Sequence, residues 1–281
     1  MKPVVTVLMT VYNGSNYLNE AIESVLCQTL NNYVFLIVDD ASTDNSIEII
    51  NSYKDSRIKL LINDKNIGQT ASLNIGLARA QGEYVARFDQ DDVCLPRRLE
   101  EQVAFLQKNS SISIVCSREY SIDEKGEKIG AWKRELNNYG AFLAYIILGI
   151  NPIWTPSAMF VKDDILQLDG FDENFGPASD FELWSRIALK RLNAQVVPKF
   201  HQLRRIHSQS QSNLKAEEQS QANKKALSNV IKYFLDEEDN NDLLSALLLD
   251  SFKINRINEA NPLKISEKIN ALINRVSLKQ N

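Results

Sequence analysis

Between Val4 and Asn109, apolar strand-like runs alternate with helical segments, and few architectures accept that alternation. "VVTVLMTV", residues 4–11, is rich in β-branched residues and lacks polar alternation, as expected of a strand covered on both faces. "YNGSN" breaks the run, and "YLNEAIESVLCQT" then sets Leu18, Ile22, Val25 and Leu26 at helical spacing. "YVFLIVDD" reads as a second buried strand ending on acids, with a helix after it through Ile47, Ile49 and Ile50. "RIKLLIND" is a third strand, and "NIGQTASLNIGLARAQGE" a loop, a helix and a stop at Gly82. "YVARF" is the fourth strand; it runs into "DQDDVCLP", where Pro96 is expected to open the helix "RRLEEQVAFLQKN". Such repeats build βαβ units, a mostly parallel sheet and right-handed crossovers. Ligands of these sheets bind beyond the carboxyl ends of the strands. The "TVYNG" loop, Asp39–Asp40 and the acids at 89–92 all fall on that edge.

Asp89, Asp91 and Asp92 crowd three carboxylates into four positions. Acids ahead of a helix gain ~0.3–1 kcal/mol from its dipole, a need that one acid satisfies. Arg87 shares a strand face with Asp89 at spacing two, which leaves Asp91 and Asp92 without an evident partner. A hard divalent cation, Mg²⁺ or Mn²⁺, takes oxygen ligands, tolerates several carboxylates and keeps positions open for substrate phosphates. Metal–phosphate binding is therefore favoured over helix capping. The first strand–helix turn has one glycine, not G-x-G-x-x-G, and "GK[ST]" occurs nowhere, which removes the nicotinamide and Walker-type readings.

Further along, "SISIVCSREYSID" reads as a strand, "EKGEK" as a hairpin turn and residues 139–150 as a helix. Residues 156–192 hold a strand, a short helix, a glycine-punctuated loop and a firm helix. Past residue 213 the composition shifts: residues 215–281 contain one proline and no glycine, with repeated helical apolar spacing. The expected organisation is a domain at 1–213, with halves at 1–108 and 109–213, and a helical tail at 214–281. Of the 281 residues 44% are apolar and 24% charged, ordinary for a soluble globular protein, and a net charge of -4 argues against nucleic-acid binding. Cys27, Cys94 and Cys116, scattered and odd in number, read as reduced buried thiols of a cytoplasmic protein. No run reaches membrane-spanning length, and the N-terminus lacks a small-residue cleavage site.

Several segments in order carry a resemblance: "VTVLMTVYNGSNYLNEAIESVLCQT", "FLIVDDASTDNS", "NIGQTASLNIGLARAQGEYVARFDQDDVCLPRRLEEQVAFL", "DGFDENF", "SDFELWSRI" and "RRIHSQSQS". Together they cover roughly residues 4–210 and resemble family 2 glycosyltransferases of the GT-A fold. The resemblance implies an α/β protein with a mostly parallel mixed sheet flanked by helices. It implies transfer of a sugar, with inversion, from a nucleotide diphosphate donor such as a UDP-sugar to a hydroxyl of a saccharide or lipid-linked acceptor in surface polysaccharide synthesis. Negative charge then builds on the departing diphosphate, and a cation there stabilises it.

Carried over residue by residue, Asp91 holds the metal, Asp89 lies near the donor's ribose and sugar, and Asp92 is a sugar or supporting contact. Thr10 and Tyr12 flank the base, Asp40 accepts from the uracil ring N–H, and Asn66 and Gly68 lie along the nucleotide. Thr10 stands where the family more often has proline, and Ser72 where it often has a basic residue. Asp180 occupies the position of the base that deprotonates the acceptor, with Glu182 as the alternative. Ser179 and Glu182 also fit an S-x-x-E capping box. His207 sits where many members have a histidine facing the metal, and Arg204 and Arg205 either contact phosphate or are simply solvated. Trp154 is a candidate acceptor platform, or packing.

"LKISEKINALINRVSLK" reads as a basic amphipathic helix, suited to packing on the catalytic domain or a partner, or to peripheral contact with the inner face of a membrane. A homodimer is a further option. A nucleotidyltransferase and a non-catalytic sugar-nucleotide module are the competing readings; the first would want basic residues in the "TVYNGSN" loop, which has none.

Overall fold

The computed structural model describes residues 2–208, 210 and 214–234. Strands β1 (Val5–Val11), β2 (Tyr33–Asp39), β3 (Ile58–Ile62) and β4 (Tyr84–Phe88) alternate with helices α1 (Leu18–Leu26), α2 (Ser46–Ser52) and α3 (Gln69–Arg79), as the sequence predicts. They pair in parallel in the order β3-β2-β1-β4. Both faces of this half are covered. Leu8, Leu36, Val38 and Val85 enter one core layer, while Val5, Val7, Met9, Phe35 and Ile37 enter the other. Alternate side chains thus go to opposite cores, the reason these strands read as continuous apolar runs.

Beyond β4 the sheet becomes mixed. A two-residue strand β5 (Val93–Cys94) precedes α4 (Arg98–Lys108), and β6 (Ile112–Ile122) forms a hairpin with β7 (Lys128–Trp132). Helix α5 (Tyr139–Ile147), strand β8 (Met159–Val161), α6 (Lys162–Leu166), α7 (Ser179–Leu189) and β9 (Asn193–Arg205) follow. The sheet continues β4-β8-β6-β9-β5, with β8 antiparallel to β4 and β6, and β9 parallel to β6. Two expectations shift here. Pro96 lies ahead of the helix, whose N-cap is Arg97. Helix α3 ends at the extended Ala80 and not at Gly82; a Cβ on Gly82 would lie 2.5 Å from the Thr6 backbone nitrogen. Gly82 serves close packing of backbone on backbone.

Helix α8 (Ala216–Phe234) packs on this body through Ala226, Leu227, Val230 and Ile231, all buried. Gln219 Nε2 donates to the Pro177 carbonyl at 3.1 Å, and Lys225 Nζ sits 4.5 Å above the Phe175 ring. The basic amphipathic segment expected at 263–279 lies outside the described residues. Among the described residues no helix is long and apolar enough to cross a membrane. Cys94 and Cys116 are buried free thiols as expected, whereas Cys27 is exposed.

Candidate active site

The turn after β4 gathers the acids. Asp89, Asp91 and Asp92 each offer an oxygen within 4.8 Å of the others. Asp89 is paired with the buried Arg87 guanidinium. Burial nevertheless holds its carboxyl above the usual range, with Arg87 offsetting this and Asp91 adding to it. Asp91 Oδ2 lies 2.8 Å from His207 Nε2, so β9 returns a histidine to the acid expected to hold the metal. Asp92 is spent on structure: Gln202 Nε2 donates to Oδ2 at 2.6 Å and the Arg205 backbone N–H donates to Oδ1 at 2.9 Å. Burial and its two acidic neighbours push its carboxyl well up. A cation held here would meet Asp91 and Asp89, with His207 beside them. None of the three acids caps α4, whose first turn carries Glu100 and Glu101.

Below the turn, Arg98 is fully buried and orders the polar groups. It donates to Arg87 O at 2.7 Å and to Gln202 Oε1 at 3.0 Å, which fixes the Gln202 amide with its NH₂ toward Asp92. Arg205 donates from Nη2 to Glu20 at 2.5 Å and from Nε to Asp91 O at 3.1 Å, and stacks on Tyr17. These bonds tie α1 to the acidic turn, so Arg205 is a fastener and has little left for a phosphate. His201 is buried on Glu101, and burial pushes its imidazole pKa down.

The residues expected on the nucleotide side converge on the carboxyl ends of β1 and β2. Tyr12 is exposed, its N–H donating to Gln90 Oε1 at 2.9 Å and its carbonyl accepting from Gln90 Nε2 at 3.2 Å. Thr10 is nearly buried two residues earlier on the strand. Asp40 accepts from Gly68 N–H at 2.8 Å, from Ile67 N–H at 2.9 Å and from Asn63 Nδ2 at 2.9 Å. Gly68 adopts φ 92°, a backbone that favours glycine, and Asn66 beside it is exposed. Ser72 is buried and accepts from the same Asn63 amide, so α3 brings no cation to this rim.

Asp180 stands at the start of α7. Its Oδ2 accepts from Thr155 Oγ1 at 2.6 Å and from Asn151 Nδ2 at 3.1 Å, and its Oδ1 from the Phe181 N–H at 2.7 Å. The capping box expected on α7 is not formed: Ala178 is the N-cap, and Ser179 Oγ pairs with Thr70 Oγ1 at 3.2 Å. Glu182 forms a two-point ion pair with Arg186, at 2.7 and 2.6 Å, which ties up the alternative base. Asp180 also joins the rest of the rim. Ser179 and Thr70 connect it to the Gly68–Asp40 loop, and Thr155 connects it to Trp154.

Trp154 is already stacked: the Arg204 guanidinium sits 3.8 Å over its ring. That face is therefore closed to a sugar, and the ring positions a cation beside Asp89. Sequence reasoning missed Glu119. This β6 residue is 1% exposed, its Oε2 is buried without a hydrogen-bond partner among the described residues, and burial pushes its carboxyl up to about 9. It pairs across the sheet with Gln202, so both side chains project to the Asp92 side. The signal was available: a lone glutamate in "SISIVCSREYSID" falls at an inward position between Ser117 and Ser121.

Known proteins resemble this chain in sequence and in fold. An uncharacterized glycosyltransferase of Methanocaldococcus jannaschii is 34% identical over 206 residues, 71% of this chain and 69% of that protein. An uncharacterized glycosyltransferase of Haemophilus influenzae is 29% identical over 92% of this chain and 83% of its own length. Among solved structures, residues 1–349 of S. aureus TarS in complex with UDP-GlcNAc superpose with a TM-score of 0.70 at 20% identity, covering 98% of this chain and 79% of that one. The mannosyltransferase PcManGT of Pyrobaculum calidifontis, in complex with GDP-Man and Mn²⁺, matches with a TM-score of 0.59 at 18% identity, covering 99% and 87%. These likenesses establish the GT-A fold. The family model for glycosyl transferase family 2 matches residues 6–167, and with the relatives above it shows that the chain belongs to that family.

Proposed function

We propose that the protein is an inverting, metal-dependent glycosyltransferase that moves a hexosyl or N-acetylhexosaminyl group from a UDP-sugar to a hydroxyl of a saccharide or lipid-linked saccharide in surface polysaccharide synthesis. The observation that carries this reading is the convergence on one sheet edge of the Asp89–Asp91–His207 group, the Asp40–Gly68 loop and Asp180. Asp91 and His207, with Asp89, would hold Mn²⁺ or Mg²⁺. When bound, such a cation neutralises the charge that develops on the departing diphosphate.

The chain's own residues do the rest. Asp40 sits at the end of the base pocket, where its remaining acceptor site faces a uracil N–H; Tyr12 and Thr10 border it. Asn66 and Gly68 run beside the nucleotide, and Asp92 fixes the acidic turn from behind instead of touching sugar. Asp180 takes the proton of the acceptor hydroxyl. Its three donors fix the carboxylate and leave about one of its four acceptor sites open for that hydroxyl. Trp154 acts through Arg204, which it holds next to Asp89.

The test combines thermal shift and turnover. UDP with Mn²⁺ should raise the melting temperature, more than GDP does and more than either component alone. Asp180→Asn should keep that shift while lowering turnover by ~10²–10⁴-fold. An Asp180→Asn enzyme with wild-type turnover removes Asp180 from the mechanism, and a protein indifferent to nucleoside diphosphates with and without Mn²⁺ refutes the assignment.

A further inference from the structure

Among the described residues, several buried polar atoms near Asp89 have no hydrogen-bond partner. Glu119 Oε2, Arg87 Nε and Trp154 Nε1 are all buried without hydrogen bonds. The Arg204 side chain makes no hydrogen bond or ion pair among the described residues; it stacks on Trp154 and is attracted by the carboxyl groups of Asp89 and Glu119. Glu119 is the most unusual of the set, a carboxyl that is 1% exposed, surrounded by Asp92, Arg204, Asp89 and Arg98, and bonded to none of them. Burying a polar group unpaired costs stability, whereas an apolar residue of similar shape costs nothing, so folding does not account for a glutamate at this position.

The sheet explains how Gln202 and Arg204 come to lie across from Glu119: β6 keeps its alternation, and the extra residues of the register slips are on β9. The β6–β9 register slips between Ser117 and Arg118 and again between Arg118 and Glu119. Bulges of this kind re-aim side chains beside active sites. Past the slips, Glu119 stands opposite Gln202, and Arg204 follows two residues on, on the same face. The floor between Asp89 and the acceptor-side Trp154 is therefore lined by a carboxyl and a guanidinium with unused hydrogen-bonding capacity. Because no hydrogen bond holds Arg204, its side chain can shift without losing one, opening the floor to a ligand.

We propose that Glu119 is a specificity-determining residue for the transferred sugar: its carboxyl group hydrogen-bonds a ring hydroxyl of the donor sugar in the floor between Asp89 and Arg204. This inference rests on the nucleotide-sugar reading given above and names the group that selects the sugar. The ligand class is a hydroxylated sugar bearing a nucleotide diphosphate, not the nucleotide itself.

The experiment uses the full chain with Glu119→Gln and Glu119→Leu. Melting temperatures are measured without ligand, with UDP and Mn²⁺, and with UDP-GlcNAc or UDP-glucose and Mn²⁺; KM and kcat are read from UDP release. The free variants should melt no lower than wild type, and both should keep the full UDP shift. The extra shift given by the preferred sugar nucleotide over UDP should vanish in Glu119→Leu and survive in part in Glu119→Gln. The KM for that donor should rise ~10–100-fold in the leucine variant, the range for losing a hydrogen bond to a substrate hydroxyl. A leucine variant with donor KM within twofold of wild type overturns the proposal, as does loss of the UDP shift together with the sugar increment, which would mark a structural role. If wild type itself gives no UDP or GDP shift, the nucleotide-sugar reading fails first, and the proposal with it.

Discussion

Replacing Gln202 by leucine should unfasten the buried machinery behind the acidic turn. Gln202 Oε1 accepts from Arg98 Nη1 at 3.0 Å, and its Nε2 donates to Asp92 Oδ2 at 2.6 Å. Arg98 is 1% and Asp92 3% exposed, so water replaces neither bond. Hydrogen bonds to charged groups contribute about 1.5–3 kcal/mol each, which puts the gross loss near 3–6 kcal/mol. Leucine returns roughly 1 kcal/mol through added apolar burial. Burial already pushes the Asp92 carboxyl upward, so proton uptake there relieves part of the remainder and sets the lower end. A net loss of roughly 2–5 kcal/mol corresponds to a fall of about 5–15 °C in melting temperature for a chain of this size. Thermal unfolding by circular dichroism measures it, and a double-mutant cycle with Asp92→Asn isolates the coupling. Because the asparagine side chain carries no charge, the paired substitution should cost clearly less than the sum of the two. A fall below about 2 °C, or strict additivity, would refute the argument that Gln202 relays between two buried charges.

Three further outcomes can be checked. His207→Ala should weaken Mn²⁺ binding about tenfold or more, followed by titration calorimetry in the presence of UDP; unchanged affinity leaves His207 as a partner of Asp91 only. Glu119→Gln should remove a pH dependence of stability. The folded carboxyl titrates near about 9 and an ordinary glutamate near 4.5, so the unfolded chain releases a proton between them and wild-type stability falls as pH rises through that window. Urea melts at about pH 5 and about pH 8 should therefore show the variant gaining on wild type at the higher pH, and a constant difference contradicts the assignment. Gly82→Ala should destabilise by about 2–3 kcal/mol, because the new methyl meets backbone atoms of Val5, Thr6 and Tyr84 that cannot rotate away; a stability within about 0.5 kcal/mol of wild type is inconsistent with that packing.

The first 108 residues were legible because their strands are buried on both faces and their helices carry apolar stripes, so β1 to β4 and α1 to α4 announce themselves locally. Strand β9 did not. "NAQVVPKFHQLRR" mixes Pro198, several cations and a histidine into a strand whose bulges break any fixed alternation. Its polar residues turn inward to pair with partners from elsewhere in the chain, Gln202 with Arg98 and Asp92, His201 with Glu101 and Arg205 with Glu20, and a pattern-based reading takes them for a loop. The same physics hid the role of Asp92, since nothing local says that a third acid is consumed by residues more than a hundred positions away. Ser179 and Glu182 misled for the opposite reason: the local motif is intact, but Thr70 and Arg186 outcompete the cap. Trp154 stands out in the sequence as a platform or as packing, yet only the fold brings Arg204 onto its face.

Gln90, between Asp89 and Asp91, has its own consequence. Gln90 grips both the N–H and the carbonyl of Tyr12, and a methyl on Gly14 would come within 2.6 Å of its amide oxygen. The loop after β1 and the turn that carries Asp91 are thus clamped into a single mechanical unit. If a nucleobase and a cation bind as proposed, occupancy at one end would stiffen the other, and thermodynamic reciprocity would make the effect mutual: by whatever factor the nucleobase tightened the cation, the cation would tighten the nucleobase.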